Sequence, residues 1–229
     1  MKKRIGMQGS IVFLTIVVSV IFSKFLFPSW KRGAIDGFLD TVGIGIILLG
    51  FLFRVSARGY KSENSDNGKT LVTDGPYRLM RHPMYFGTLL IGMGVILALF
   101  EWWAFPLFCT VFLLIYVPEV RKEEKQLAER FDGKYKEYAK RTPNYFPRGL
   151  SVLKLDISSY LFFKLEWLRK EIFSVCMVMA LVLAAETWED VRLLGHIEYF
   201  KEFIQLLLVT LFIFFIFSVF YREKGFKKK

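Results

Sequence analysis

Two short polar clusters in this chain contain residue types that bind charged ligands or move protons. The first cluster runs from Lys69 to Tyr77 and is followed closely by Arg81-His82-Pro83-Met84-Tyr85. The second begins with Arg121-Lys122-Glu123-Glu124 and continues through Tyr135 and Tyr138 to Pro143. Carboxylates, guanidinium groups and an imidazole so close together predict a ligand site rather than a purely structural surface.

The His82-Pro83 pair predicts the start of a helix. Proline is favourable in the first turn, because its missing N–H would have had no partner there. Such a start offers backbone N–H groups and a positive dipole end to an anion such as a carboxylate. Tyr85 would share a face with His82. The segment is therefore suited to a zwitterionic ligand, although Arg81 is equally typical of a positive anchor at the mouth of a membrane span.

Glu123 and Glu124 are adjacent, so on a helix their side chains point about 100° apart. One of them is expected to face a site, and the other to face solvent or an orienting partner. A plain solvated charge pair among lysines is the alternative. Tyr135 and Tyr138 share a helix face, which is also typical of an aromatic belt at a lipid interface.

These clusters sit between long apolar blocks. The chain has 229 residues, 54% of them hydrophobic, and a mean hydropathy of +0.37. A helix needs about 20 apolar residues to cross a roughly 30 Å hydrocarbon core. Six blocks approach that length, and the middle four are short enough to be buried or re-entrant helices instead: Ile11–Phe27, Phe38–Phe53, Tyr85–Phe100, Trp102–Val117, Ile172–Ala185 and Phe203–Tyr221. The predicted fold is an all-α, polytopic membrane protein with about six transmembrane helices and a ligand pocket on the cytoplasmic face.

The basic residues predict the orientation, because Lys and Arg accumulate in cytoplasmic loops. With both termini cytoplasmic, 27 of the 32 Lys and Arg lie inside and 4 lie outside, while Lys24 lies near the end of the first span. Both polar clusters then face the cytoplasm. The net charge of +11 is accounted for by anionic lipid headgroups beside these loops, so no nucleic acid partner is expected.

The charge pattern divides the chain into three parts. Residues 1–53 form a transmembrane helix pair, residues 54–147 the polar core with its helical hairpin, and residues 148–229 an interfacial segment with two further spans. Within the core, Ser62–Gly68 predicts a mobile, turn-rich loop. Residues 119–138 predict an amphipathic helix that continues the fourth span and ends before Pro143 and Pro147.

Two smaller features are assigned to packing. Gly92-x-Gly94 lies within a span, where small residues permit close approach of helices. Cys109 and Cys176 fall within spans and are interpreted as small apolar residues. With two His and no Cys-x-x-Cys in the chain, no metal site is expected.

The polar clusters form two motifs that resemble a known family. Gly75-Pro76-Tyr77-x3-Arg81-His82-Pro83-x-Tyr85-x-Gly87 resembles the signature of the integral-membrane isoprenylcysteine carboxyl methyltransferases. Residues 123–147, with Glu123-Glu124 and Tyr135-x2-Tyr138 followed by Arg141-x-Pro143-x3-Pro147, resemble that family's closing motif. The resemblance covers about Thr70 to Pro147.

The resemblance implies methyl transfer from S-adenosylmethionine, bound in a cytoplasmic pocket, to a lipophilic or lipidated acceptor in the membrane. Carried over position by position, the cofactor contacts fall on Lys69, Thr70, Leu71, Val72, Tyr77, His82, Pro83, Met84, Tyr85 and Glu123. His82 and its helix start would face the methionyl group, and Glu123 would anchor a polar part of the cofactor.

No obligatory catalytic base is assigned. A carboxylate acceptor, with a pKa of about 4, is already ionised, whereas an amine or a thiol would need a base. The candidates for a role at the acceptor are Arg81, Glu119, Arg121 and Glu124. The eukaryotic family members carry at the position of Glu119 an arginine that meets the substrate. This departure predicts an acceptor that is neutral or cationic near Glu119, such as an amine-bearing lipid.

Three other functions stay open at this point. One is a lipid-headgroup N-methyltransferase of the same broad superfamily. Another is an NADPH-dependent sterol-type reductase, which shares Arg-His-Pro-x-Tyr but usually has a much longer chain. The third is a non-enzymatic membrane scaffold. The sequence leaves the oligomeric state open.

Overall fold

The computed structural model describes residues 34–146, 161, 164–169, 171–172 and 174–182. All regular structure in this part is helical, which confirms the all-α prediction for it. The elements are α1 (Ala34–Asn64), a 3-10 turn (Asp66–Gly68), α2 (Pro76–Leu79), α3 (Pro83–Leu99), α4 (Ala104–Arg141) and α5 (Leu165–Leu168). Residues 174–182 are also helical. The predicted first and last spans, Ile11–Phe27 and Phe203–Tyr221, lie outside the described residues.

Two of these helices have the length and composition needed to cross a membrane, namely α1 over Phe38–Asn64 and α4. Helix α3 is apolar but shorter, with 17 residues. Several large apolar side chains of α4 are exposed, and Leu114 is 71% exposed. Exposed apolar side chains along such a helix are suited to contact with lipid. The predicted number of six spans goes beyond the described residues.

Helices α1 and α3 pack in backbone contact, because each presents two glycines to the other. Gly43 lies opposite Gly94, and Gly50 lies opposite Gly87, so the two helices run antiparallel. A Cβ added to Gly50 would lie 2.6 Å from the carbonyl oxygen of Gly87, and one added to Gly94 would lie 2.5 Å from that of Gly43. The glycines of each helix are seven residues apart, about two turns. Small residues at this spacing allow two helices to touch closely.

Gly92 lies on another side of α3 and packs against α4. A Cβ at this position would lie 2.1 Å from the ring of Phe108. The Gly92-x-Gly94 pair therefore serves packing, as predicted, and it does so toward two different neighbours.

Helix α1 is longer than its apolar block. It runs eleven residues past Phe53 to Asn64 and through the boundary that the charge pattern places there. The predicted turn-rich loop over Ser62–Gly68 is therefore wrong for residues 62–64, which end α1, whereas Asp66–Gly68 do form a turn, of the 3-10 type.

Side-chain contacts explain why α1 continues into polar sequence. The Asn64 side chain donates to the carbonyl oxygen of Tyr60 at 2.9 Å. Glu63 accepts hydrogen bonds from the Trp167 indole at 2.6 Å and from Lys164 at 2.7 Å. These partners lie about a hundred residues away, so the local loop-forming composition is overridden by tertiary contacts.

Helix α4 confirms that the charged segment continues the fourth span. It spans Ala104–Arg141 with Pro118 inside it, and a kink at Asp132, which has non-helical backbone angles, divides it into two helical stretches. It ends immediately before Thr142-Pro143, where proline was predicted to end it.

The described residues beyond Pro147 pack against α1. A Cβ at Gly59 would lie 2.0 Å from the Trp167 ring. Val182, within the predicted Ile172–Ala185 span, is buried in a cluster with Ile47, Phe51 and Leu99. The C-terminal segment therefore covers one side of the helix that carries the polar extension.

Candidate functional site

A cavity of about 400 Å³ lies among the polar end of α1, the segment 65–72, the start of α3 and the middle of α4. This volume falls within the range of about 300–1,000 Å³ typical of small-molecule sites. The residues that line it are Arg54, Arg58, Lys61, Ser65, Gly68, Thr70, Leu71, Val72, Tyr77, Arg81, His82, Pro83, Met84, Tyr85, Thr88, Tyr116, Glu123, Leu127, Arg130, Phe131 and Tyr138.

The structure brings both sequence motifs to this one cavity. All the positions named for cofactor contact line it except Lys69, whose side chain is exposed. Among the candidates for acceptor chemistry, Arg81 lines the cavity, whereas Glu119, Arg121 and Glu124 do not. Glu119 is half-buried on α4, and Arg121 is exposed.

Gly75 and Pro76 determine the backbone conformation at the start of the first motif. Gly75 has φ +59°, a conformation that glycine adopts without steric cost. A Cβ there would also lie 2.9 Å from the ring of Tyr60. Pro76 then begins α2, and Tyr77 becomes buried beneath it. This geometry explains the Gly-Pro-Tyr order in physical terms.

Tyr135 and Tyr138, the two tyrosines of the second motif, form hydrogen bonds that help to hold α4 against the first motif. Tyr138 Oη donates to the carbonyl oxygen of Tyr77 at 2.7 Å, and Tyr135 Oη donates to Glu124 Oε1 at 3.1 Å. Both rings are buried, so their interpretation as an aromatic belt at the lipid interface is wrong. A backbone hydrogen bond of 2.9 Å from Arg81 N to Pro143 O joins the same two segments.

Burial raises the pKa of Tyr77 and of Tyr138 well above the ordinary phenol value, and neighbouring acidic groups add to this effect. Both phenols therefore stay protonated at neutral pH. They act as hydrogen-bonding and packing groups rather than as bases.

Glu123 and Glu124 have different partners, as their adjacent positions predicted. Glu123 lines the cavity, where it accepts a hydrogen bond from Tyr85 Oη at 3.1 Å and lies 3.6 Å from Lys61 Nζ. Glu124 turns to an orienting role and forms an ion pair with Arg81. The interpretation of the two as a solvated charge pair is therefore wrong.

His82 lies between these carboxylates and the cavity. Its side chain is 5% exposed, and its Nε2 lies 3.5 Å from Glu124 Oε1. Burial lowers the pKa of His82, and Arg81 lowers it further, while Glu123 and Glu124 oppose this shift. The imidazole is therefore neutral at pH 7, so it can hydrogen-bond a ligand without adding charge.

Eight of the described lining residues were missed by the sequence analysis: Arg54, Arg58, Lys61, Ser65, Gly68, Thr88, Tyr116 and Arg130. The first three are spaced by four and three residues, so they share one face of a helix. This spacing would have revealed them had α1 been predicted to continue past Phe53. The carboxylate partner of Arg54 and Arg58 is Glu171, which is fully buried and far away in sequence.

Charge is distributed unevenly in the cavity. Among the residues described by the structure, its lining includes five cationic side chains and a single acidic one, Glu123. In the part of the chain that the structure describes, no three His, Cys, Asp or Glu residues come together as a metal site would require. Together with the apolar helices, the cavity defines a class of protein: a helical membrane protein that binds a small charged ligand at the polar ends of its helices.

Comparison with known proteins identifies the family to which this membrane protein is related. Residues 39–134 match the family of phospholipid methyltransferases. The chain is 33% identical over 154 residues to the cobalt-zinc-cadmium resistance protein CzcN of Cupriavidus metallidurans, covering 63% of this chain and 69% of that protein. It is 31% identical over 150 residues to the nickel-cobalt-cadmium resistance protein NccN of Alcaligenes xylosoxydans, covering 64% and 67%.

A third relative carries an enzyme name. The chain is 29% identical over 152 residues to protein-S-isoprenylcysteine O-methyltransferase B of Arabidopsis thaliana, covering 62% of this chain and 75% of that protein. No solved structure matches the chain significantly.

The chain belongs to the isoprenylcysteine carboxyl methyltransferase family of integral membrane proteins. It is a membrane methyltransferase of the isoprenylcysteine type, and the resemblance seen in the two motifs is confirmed. The scaffold and reductase interpretations of the sequence are set aside.

Proposed function

We propose that the protein transfers the methyl group of S-adenosylmethionine to a carboxylate of a lipidated acceptor at the membrane surface. The observation that carries the proposal is the single cavity shared by both family motifs, with Glu123 and the His82-Pro83 helix start on its walls. Relatives of this chain in Arabidopsis and fission yeast are named protein-S-isoprenylcysteine O-methyltransferases.

The lining residues fit S-adenosylmethionine. Glu123, with Tyr85 beside it, offers a carboxylate and a hydroxyl to the polar groups of the ligand. Leu71, Leu127 and Phe131 provide an apolar wall for its planar base. The remaining proposed contacts are Thr70, Val72, Tyr77, His82, Pro83 and Met84, all of which line the cavity, whereas the exposed Lys69 is left out.

The protein itself has to orient the reactants and exclude water. When bound, S-adenosylmethionine would supply a methyl group on a sulfonium and would leave as the neutral thioether S-adenosylhomocysteine. Transfer to a carboxylate would form a C–O bond as the C–S bond breaks and would need no base, because the carboxylate is ionised at neutral pH. Proximity and orientation can contribute roughly 7–11 kcal/mol to such a step. A reaction that needs no base is consistent with a site whose buried tyrosines stay protonated and whose histidine is neutral.

The charges of the lining residues also indicate the charge of the acceptor group. The expectation of a neutral or cationic acceptor depended on Glu119 facing it, and Glu119 is not among the lining residues. The cationic side chains Arg54 and Arg58 do line the cavity, and they would attract a carboxylate and repel an ammonium group. The lining therefore supports an anionic acceptor group.

The donor can be tested directly. The purified protein in detergent is titrated with S-adenosylmethionine, S-adenosylhomocysteine and NADPH by calorimetry. Both adenosyl ligands should bind, and NADPH should not compete with them. Binding of NADPH alone would contradict the proposal.

For the membrane topology we propose a multi-pass protein with both termini and both motifs on the cytoplasmic side, supported by the distribution of Lys and Arg. The test uses a background without Cys109 and Cys176, carrying Asp66→Cys, Asp132→Cys or Gly195→Cys singly. A membrane-impermeant thiol reagent added to intact cells should label the third variant and miss the first two. The reverse pattern would overturn this orientation.

A further inference from the structure

The extension of α1 places a cationic row along the cavity. Arg54, Arg58 and Lys61 follow one another at four and three residues, and all three line it. Lys61 lies near Glu123, on the side of the proposed methyl donor. Arg54 lies about two turns earlier on α1, at the border of the apolar block.

Arg54 marks the end of the cavity that points toward the apolar parts of the helices. The other lining residues there are Thr88, in the second turn of α3, and Tyr116, within the apolar half of α4. A lipophilic acceptor whose chain lies in the bilayer would enter its reactive group from this end. Arg54 is therefore placed where an acceptor head group would arrive.

The guanidinium of Arg54 is held on two sides. Its Nη1 donates to Thr88 Oγ1 at 2.7 Å. Its Nη2 lies 3.1 Å from Glu171 Oε2, and its Nε also donates to that carboxylate at 3.4 Å. Nη1 carries a second N–H beyond the one given to Thr88, and the side chain remains 14% exposed.

Glu171 comes from the C-terminal segment, outside the residues 39–134 that match the family. It is fully buried, and it also binds Arg58 Nη1 at 2.5 Å. A buried ion pair is a weak source of stability, because desolvation offsets most of the attraction. Its fixed geometry is better suited to holding a guanidinium in one orientation.

We propose that Arg54 is the specificity residue that binds the acceptor carboxylate, and that Glu171 is the positioning residue that orients Arg54 for it. This inference rests on the proposed function. Arg54 lies at the end of the cavity where an acceptor head group would arrive, and its Nη1 has a second N–H beyond the one given to Thr88. A planar guanidinium also matches a carboxylate better than an ammonium group would. Of these two residues, Glu171 lies outside the part of the chain that matches the family.

The test compares two probes that differ in charge alone. Binding of N-acetyl-S-farnesylcysteine and of its uncharged carboxamide is measured in the presence of S-adenosylhomocysteine. The wild type should prefer the carboxylate by about tenfold or more, since losing a charged hydrogen bond typically costs tenfold to a hundredfold in affinity. Arg54→Gln should abolish this preference and leave the affinity for S-adenosylhomocysteine unchanged.

Two further variants separate positioning from simple stability. Glu171→Gln should reduce the preference for the carboxylate, and Arg54→Lys should retain a part of it. Glu63→Gln is the matched control, because it removes the charge from another contact between α1 and the C-terminal segment at a residue that is not among the described lining of the cavity. Glu63→Gln should leave the preference for the carboxylate probe unchanged, and its only expected effect is a lower unfolding temperature.

The outcomes are distinguishable. A wild type that binds no adenosyl ligand would refute the proposed function itself. Adenosyl binding without a preference for the carboxylate probe would overturn the inference about Arg54, and so would a preference that survives Arg54→Gln. Equal losses in Glu171→Gln and Glu63→Gln would reduce Glu171 to a structural role.

Discussion

Replacing Glu123 by alanine is expected to weaken the binding of S-adenosylmethionine by about tenfold to a hundredfold. Glu123 is the only acidic side chain among the described residues that line the cavity, and Tyr85 and Lys61 hold it in place. Losing a hydrogen bond to a charged group typically costs about 1.5–3 kcal/mol. Titration calorimetry of the purified variant measures the change directly.

Two variants act as controls for this result. Glu129→Ala removes an exposed carboxylate from the same helix and should leave the affinity unchanged. Tyr85→Phe removes the hydroxyl that donates to Glu123 and keeps the ring, so it should cause a smaller loss than Glu123→Ala. An unchanged affinity in Glu123→Ala would show that the ligand does not contact this carboxylate.

An alanine at Gly50 or Gly94 is expected to disrupt the packing of α1 on α3. The added Cβ would lie within 2.8 Å of a backbone carbonyl oxygen and of an isoleucine side chain on the opposite helix, so the helices themselves would have to separate. Large single-site effects, above about 4 kcal/mol, arise from a few such causes, and overpacking is one of them. We expect little folded protein, measured by size-exclusion chromatography and by thermal unfolding in detergent.

Gly45 provides the matched control on the same helix. A Cβ at Gly45 would meet nothing within 4 Å, so Gly45→Ala should fold at least as well as the wild type. Equal yields and unfolding temperatures for all three variants would contradict the backbone contact between α1 and α3.

The residues of the cavity that sequence reasoning found are those that lie within short motifs. His82, Tyr85 and Glu123 were identified because helix starts, i to i+3 spacing and adjacent carboxylates have local physical meaning. Glu123 and Glu124 could even be assigned different directions, since helical geometry alone separates them. Only the structure could name Arg81 and Tyr135 as the partners of Glu124.

Contacts distant in sequence explain what was missed. Arg54 and Glu171 are 117 residues apart, and no local pattern connects them. The charges after Phe53 indicated the end of a span and said nothing about the helix continuing into the site. Tyr135 and Tyr138 have the composition of an interfacial belt, and their burial depends on where the first motif folds.

The central claim is methyl transfer to a lipidated carboxylate, and the product of the reaction tests it most directly. The purified protein is incubated with methyl-labelled S-adenosylmethionine, N-acetyl-S-farnesylcysteine and, in a parallel reaction, membrane lipid extract. We expect label in a base-labile methyl ester of the prenylcysteine and little label in lipid. Label confined to lipid amines, or bound S-adenosylmethionine without any methyl ester, would contradict this account.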